Sequence, residues 1–409
     1  MLQRAYSGKT ALHFAGESGR AEAVQALVAA GADVHAPAVS GKTALHSAGK
    51  IGRAEGVQAL VAAGADVHAT ANNGMTALHF AAESGRVEAI QALLEAGADV
   101  HAAAVDGKIA LHSASRSGRA AAVQAQVAAG ADVHAQASLG STVPHLAGSG
   151  GSADAVQAQV AAGADVHAQE SLGSTAQHFV GSSGSADAVQ ALVAPDADVH
   201  ATVNDGGTTL HTTGESGRAE AVEAQVAAGA DVHVTADDGR TALHSASGSG
   251  CAETVHTLVA AAADVHATAD DETTALHSAG GSGRAEAVKA QVAPDVDVQA
   301  TVHEGRTALH AARESGRAEA IKAHVAADAD VDTTANDGRT ALHSASGSGR
   351  AEAVRALVSA GADVHATADD GETALPIVSK SEGAEAVQAM MESIADVHSG
   401  TDDDRTALH

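Results

Sequence analysis

The chain has 409 residues, 45% of them hydrophobic, but with no Trp, one Tyr (Tyr6) and three Phe (Phe14, Phe80, Phe179) it lacks the bulky side chains that fill a large compact core. A formal net charge of −28, with only 23 Lys and Arg scattered along the chain, excludes a nucleic-acid partner and disfavours an anionic membrane surface. One cysteine, Cys251, excludes an internal disulfide framework, and the chain has neither a signal-peptide run nor the ~18 apolar residues of a membrane span, so a soluble protein of the cytoplasm or nucleus is expected.

From the N-terminus, Thr10 stands where it can cap a short helix opening with Ala11-Leu12-His13, and Gly19 ends that helix about two turns later. A second helix follows at once. In Ala21-Glu22-Ala23-Val24-Gln25-Ala26-Leu27-Val28 the larger apolar residues fall at i, i+3 and i+4, one stripe for a neighbour to cover. Gly31 supplies a left-handed C-cap, Ala32-Asp33-Val34-His35 runs extended into a turn closed by Gly41, and Thr43 starts the pattern again.

The pattern continues to the last residue. Thr-Ala-Leu-His at 10–13 recurs at 43–46, 241–244, 274–277, 307–310, 340–343 and 406–409, always at a multiple of 33. Imperfect copies fill the gaps, and only Pro376 breaks the histidine series, so the phase holds without insertion or deletion. Two short helices and a turn cannot bury an apolar stripe alone, so each unit must stack on the next. The expected fold is an all-α solenoid of helix-turn-helix units joined by hairpin loops. It forms one array over 1–409 of about twelve repeats, on the order of 100 Å long at roughly 8–10 Å per layer.

These residues resemble the ankyrin repeat. Gly41-Lys42-Thr43-Ala44-Leu45-His46, Ala48-Gly49-Lys50-Ile51-Gly52, Val57-Gln58-Ala59-Leu60-Val61 and Gly64-Ala65-Asp66-Val67-His68 stand where the family has Gly-x-Thr-Pro-Leu-His, Ala-Ala-x-x-Gly, Val-x-x-Leu-Leu and Gly-Ala-Asp-Val-Asn. The family asparagine after Asp-Val ties adjacent loops together. Here it becomes histidine in ten units, including His35, His68 and His101, so either histidine substitutes or the tie weakens.

The second helix is thin, with alanines such as Ala21 and Ala26 in place of family leucines. At the Leu27 position, Gln126, Gln159, Gln225, Gln291 and His324 are polar, each costing about 1–3 kcal/mol if buried without a partner. Glycines inside the first helix, such as Gly16, Gly49 and Gly148, each subtract roughly 0.5–1 kcal/mol relative to alanine. The C-cap glycine is lost at Asp196, Ala262, Asp295, Asp328 and Ile394. A soft array, weakest in the middle and at the C-terminal end, is expected.

No catalytic, cofactor or metal constellation emerges. Of twenty-five histidines, twelve occupy the Thr-Ala-Leu-His position and ten follow Asp-Val, leaving His256, His303 and His324. The resemblance implies that the first set are structural hydrogen-bonders between the capping Thr and nearby backbone. Equivalent histidines roughly 8–10 Å apart cannot share a zinc ion whose ligands sit ~2.0–2.1 Å from it. Gly8-Lys9-Thr10 and Gly41-Lys42-Thr43 lack the upstream glycine of a phosphate loop, and Cys251 takes a position that other units fill with Arg. Acidic turns such as Asp237-Asp238-Gly239 and Asp369-Asp370-Gly371 lack the alternating carboxylates of a calcium loop.

The resemblance further implies that the turn tips and the exposed side of the first helix line a concave, partner-binding face. This selects the two residues before the turn glycine and the one after it. N-terminal tips are nearly neutral (Val39-Ser40, Asn72-Asn73), whereas later ones are acidic: Asp237, Asp238 and Arg240; Asp270 and Asp271; Asp337 and Arg339; Asp369 and Asp370; and Asp402-Asp403. Two readings stand for these acids, steering of a basic protein segment or mere solubility.

Leu139 and Leu172, beside Val143-Pro144 and Ala176-Gln177, are either a small apolar hot spot or the mark of one duplicated degenerate repeat. The expected function is a monomeric, non-enzymatic protein–protein interaction scaffold without cofactor or small-molecule substrate. The alternative is a targeting or regulatory arm of a larger enzyme or membrane protein, suggested by a chain that stops at His409 inside a first helix.

Overall fold

A computed structural model describes residues 8–193, 197–292, 296–315, 317–380 and 384–392. Each 33-residue period folds into two short helices and a hairpin loop. The chain divides between Asn204 and Asp205 into two compact units.

In the first unit the first helices are Ala11–Ser18, Ala44–Ile51, Ala77–Ser84, Ala110–Arg116, Val143–Ser149 and Ala176–Ser183. Their second helices are Ala21–Ala29, Ala54–Ala62, Val87–Glu95, Ala120–Ala128, Ala153–Ala161 and Ala186–Val193. In the second unit the first helices are Thr209–Ser216, Ala242–Ser249, Ala275–Ser282, Ala308–Ser315, Ala341–Gly347 and Ala374–Lys380. They pair with Ala219–Ala227, Ala252–Ala260, Ala285–Gln291, Ala318–Ala326, Ala351–Ser359 and a helix at 384–392. Strand structure is confined to the hairpins, as where Thr301–Val302 pairs antiparallel with Arg306–Thr307.

The core is one thin layer per repeat. Leu12, Leu45, Leu78 and Leu111 from the first helices and Val24, Val57, Ile90 and Val123 from the second are buried in the first unit. Each such side chain contributes roughly 1.5–3 kcal/mol. The expected left-handed ends are present, with Gly19 at φ 63° and Gly31 at φ 81°. Gly31 N–H donates to Val28 O and Ala32 N–H to Leu27 O, both at 2.9 Å, which closes the second helix.

Thr10 stands at the N-cap of its helix with an extended backbone, as the sequence suggests, in a capping box that the histidine closes. His13 Nδ1 accepts the Thr10 N–H at 3.1 Å and lies 2.9 Å from Thr10 Oγ1. Nε2 then reaches the Lys42 carbonyl of the next repeat at 2.8 Å. An N–H can only donate and a carbonyl only accept, so Nε2 carries the proton and the ring is neutral. The same bridge runs from His46 to Met75, His79 to Lys108, His244 to Thr273 and His343 to Glu372, at 3.0–3.2 Å. Each histidine is thus a cap and an inter-repeat bolt in one side chain. Burial holds the His46 ring down at about 4.

The histidines after Asp-Val do not replace the family asparagine. Asp33 Oδ1 accepts the His35 N–H at 2.9 Å, closing a local turn, but among the described residues the His35, His68 and His101 side chains make no bond to the next loop. Where other residues take the position the tie returns: Gln299 Nε2 donates to Asp328 O at 3.0 Å, and Asp332 Oδ1 accepts the Asp363 N–H at 2.8 Å.

The first-helix glycines are contact points, a role beyond the helix-weakening one expected of them. A Cβ at Gly16 would stand 2.8 Å from the Ala44 carbonyl oxygen, and one at Gly49 or Gly148 2.7 Å from that of Ala77 or Ala176. Glycine here lets successive first helices approach closely, and a methyl group would push them apart. The polar residues at the Leu27 position are fully buried, and the glutamine amides find donors' partners: Gln126 Nε2 reaches Ala122 O, Gln159 Nε2 reaches Ser115 Oγ, and Gln225 Nε2 reaches Thr213 Oγ1. Their Oε1 atoms, and both nitrogens of His324, have no partner among the described residues.

Where the C-cap glycine is missing, Ala262 and Asp328 still adopt left-handed φ of 65° and 63°. Backbone geometry therefore overrides residue preference at a cost of roughly 1–2 kcal/mol each. Asp196, Asp295 and Ile394 lie outside the described residues, as do Tyr6, Asp402-Asp403 and His409.

Candidate partner-binding surface

The hairpin tips whose second residue is Asp or Asn share one construction. In Asp237-Asp238-Gly239, Ala236 N–H donates to Arg240 O at 2.8 Å, Gly239 N–H returns to Ala236 O at 3.0 Å, and Asp238 Oδ1 accepts the Arg240 N–H at 3.1 Å. The second tip residue is therefore a turn former that spends one carboxylate oxygen on its own backbone. Asn73, Asp106, Asp271, Asp337 and Asp370 do the same.

The first tip residue links tips to one another. Asp237 N–H donates to Asp205 O at 2.8 Å, Asp270 to Asp238 at 2.9 Å and Asp369 to Asp337 at 3.1 Å, forming a backbone ladder along the second unit.

Among the sequence-derived candidates this geometry separates two classes of aspartate. Asp238, Asp271, Asp337 and Asp370 are turn formers that also face arginine. Arg240 lies 3.5 Å from Asp238 and 3.7 Å from Asp271, and Arg339 lies 3.6 Å from Asp337 and 3.0 Å from Asp370. Hydrogen bonds from Thr273 hold the Asp271 carboxyl below its usual range, and the Glu372 N–H and then Arg339 do so for Asp370. Asp237, Asp270 and Asp369 are exposed, and their carboxylates enter no ion pair among the described residues. These exposed ion pairs add little stability. They decide which charges stay available to a partner.

Asp337 and Arg339 border a 320 Å³ cleft between hairpin and first helix, together with Arg306, His310, His343 and Ser344. This one acidic tip thus borders a cleft lined by two arginines, a feature the composition of the tips alone did not show.

The first unit has a different tip chemistry. Leu139 and Leu172 are 74% and 65% exposed, and Ser171 N–H joins their tips by donating to Leu139 O at 2.9 Å. Val39 and Val105, at 75% and 80% exposure, are equally apolar tips that the sequence pattern did not single out. The signal was available: both stand one residue before the turn-forming position, where no packing partner follows. Leu139 adopts a left-handed φ of 65°, which Leu172 at the equivalent position does not.

Among the described residues no three His, Cys, Asp or Glu side chains converge to hold a metal ion, and no helix is long and apolar enough to cross a membrane.

The sequence profile described as "Ankyrin repeats (3 copies)" matches residues 1–71, 52–137, 210–301 and 276–368, which together exceed half of the chain. This chain belongs to the ankyrin-repeat family. Its fold is an ankyrin-repeat α-solenoid, and proteins of this family generally mediate protein–protein interaction. Among solved structures, the ankyrin repeat domain of human ASB11 is similar, at 23% identity and a TM-score of 0.48, over 53% of this chain and 96% of that one. No curated protein sequence matches the chain.

Proposed function

We propose that this ankyrin-repeat chain is a monomeric, non-enzymatic scaffold of the cytoplasm or nucleus that binds a basic protein segment along the hairpin tips of its second unit. The observation that carries this reading is the row of exposed aspartates, Asp237, Asp270 and Asp369, in no ion pair among the described residues while their neighbours Asp238, Asp271, Asp337 and Asp370 face arginine. A row that served solubility alone has no need of this sorting. Asp238, Asp271, Asp337 and Asp370, with Arg240 and Arg339, hold the tips in shape, and the unpaired carboxylates meet Lys or Arg of the partner. The test is fluorescence anisotropy of a labelled Lys/Arg-rich peptide on the full chain across a salt series. Saturable binding that weakens steadily with salt supports the reading, and binding no tighter than that of a scrambled neutral peptide overturns it.

The exposed apolar tip residues of the first unit, Val39 and Val105 at the first tip position and Leu139 and Leu172 at the second, support a second contact of different chemistry, since single hydrophobes scattered over a surface are common but four on the hairpin tips of one unit are not. Exchanging Leu139 and Leu172 for Asp leaves basic-peptide binding intact under this reading and removes capture of an apolar partner.

A further inference from the structure

The fold brings the residue after the turn glycine against the residue eight positions further on, in the first helix. Lys9 Nζ pairs with Glu17 Oε1 in this way, and Lys380 Nζ pairs with Glu372 Oε1, the same two positions with the charges exchanged. In the second repeat these positions hold Lys42 and Lys50, two like charges where the geometry makes an ion pair. Neither enters an ion pair among the described residues. The tip before Lys42, Val39-Ser40-Gly41, carries no acid, and Lys42 Nζ stands 4.2 Å from the centre of the Phe80 ring. Burial and then the charge of Lys50 lower the Lys42 pKa, while Glu83 opposes them and Lys9 adds to them. Two periods later Lys108 and Arg116 repeat the like-charge arrangement. Asp106 takes Lys108 at 2.7 Å, which leaves Arg116 exposed and in no ion pair among the described residues.

We propose that Lys42, Lys50 and Arg116 form a binding surface for an acidic peptide segment of a partner protein, with one carboxylate seated between the two lysines and a second on Arg116. A carboxylate between Lys42 and Lys50 supplies the counter-charge that Glu17 supplies to Lys9, and it removes the repulsion between the two ammonium groups. Arg116 offers its carboxylate two parallel N–H donors. The two points are two repeats apart, roughly 16–20 Å at about 8–10 Å per layer, a span that about five or six residues of extended chain cover. The net charge of −28 does not forbid an acidic partner, because at physiological salt exposed charges beyond about 8 Å are largely screened. The surface lies wholly in the first unit, so it stands or falls independently of the basic-segment reading of the second.

The experiment measures fluorescence anisotropy of a labelled Gly/Ser peptide bearing two glutamates about five residues apart on the full chain, against the same peptide with glutamine at both places. Lys50→Glu gives Lys42 the internal partner that Lys9 already has, so the variant is expected to fold, and Lys322→Glu makes the same charge change in the second unit. The expected result is saturable binding that weakens with salt. It is about tenfold weaker for the glutamine peptide and for Lys50→Glu, and within about twofold of the unsubstituted chain for Lys322→Glu. No saturable binding, equal binding of the two peptides, or equal losses in the two variants would each overturn the proposal. So would sedimentation velocity showing that the chain assembles with itself and that Lys50→Glu abolishes the assembly, for the occupant would then be a second copy.

Discussion

Gln159 donates through Nε2 to Ser115 Oγ at 2.8 Å, joining the second helix of one repeat to the first helix of the repeat before it, 44 residues upstream. The same spacing pairs Gln291 Nε2 with Ser247 Oγ at 2.9 Å. At Leu60 the residue 44 earlier is glycine, and a Cβ added at Gly16 would sit 3.4 Å from Leu60. In these pairs the two positions are matched in size and polarity across the repeat boundary. The double change Gln159→Leu with Ser115→Gly is therefore expected to stabilise the chain by roughly 1–2 kcal/mol, because it also removes the unpartnered Oε1. A double-mutant cycle by urea unfolding checks it, with a coupling of about 0.5–3 kcal/mol between the sites.

His324 is fully buried with neither nitrogen bonded among the described residues, and burial lowers its pKa to about 4. Replacing it with leucine, the residue at the equivalent Leu357, is expected to raise stability by about 2 kcal/mol at neutral pH. An unchanged or lower midpoint in chemical denaturation would show that the ring is better accommodated than its contacts indicate.

The neutral histidine bolts make stability depend on pH in one direction. His46 falls from 6.5 to about 4 on folding, and His79, His145, His244 and His277 are lowered as well, in each case chiefly by burial. Between those values the unfolded chain binds more protons than the folded one, so stability is fully present above about pH 6.5 and is lost as pH falls towards 4. Complete titration through the His46 window corresponds to roughly 3 kcal/mol, at 1.36 kcal/mol per unit. Thermal midpoints measured from pH 8 to pH 4 are expected to be flat at first and to drop steeply below 6.5.

Ala262 and Asp328 hold left-handed backbones that favour glycine, and Glu272 does so at φ 63° in place of the turn glycine. Restoring glycine at each is expected to gain about 1 kcal/mol. Calorimetry on the single variants and on the triple variant tests both the gain and its additivity.

The period, the two helices per unit and the left-handed glycines are visible in the sequence, because each follows from local chemistry repeated many times, and the structural role of the slot histidines is implied by the family resemblance. Three features are not. Whether Gly16 weakens a helix or admits a neighbour depends on Ala44, which only the stack brings near. The difference between Asp237 and Asp238 lies in which one bonds its own turn, and adjacent identical residues carry no sign of it. Gln177 reads as one more degenerate substitution until the stack shows it buried with neither end of its amide partnered among the described residues.

The most direct measurement compares two neutralised chains in binding a Lys/Arg-rich peptide, one carrying Asp237, Asp270 and Asp369 each exchanged for Asn, the other Asp238, Asp271 and Asp337. Asparagine keeps the turn, as Asn73 does, so both chains retain their fold. A loss of about tenfold or more in affinity for the first chain and a much smaller one for the second is the predicted result. Equal losses, or none in either, would contradict a partner held by the unpaired carboxylates of the tips.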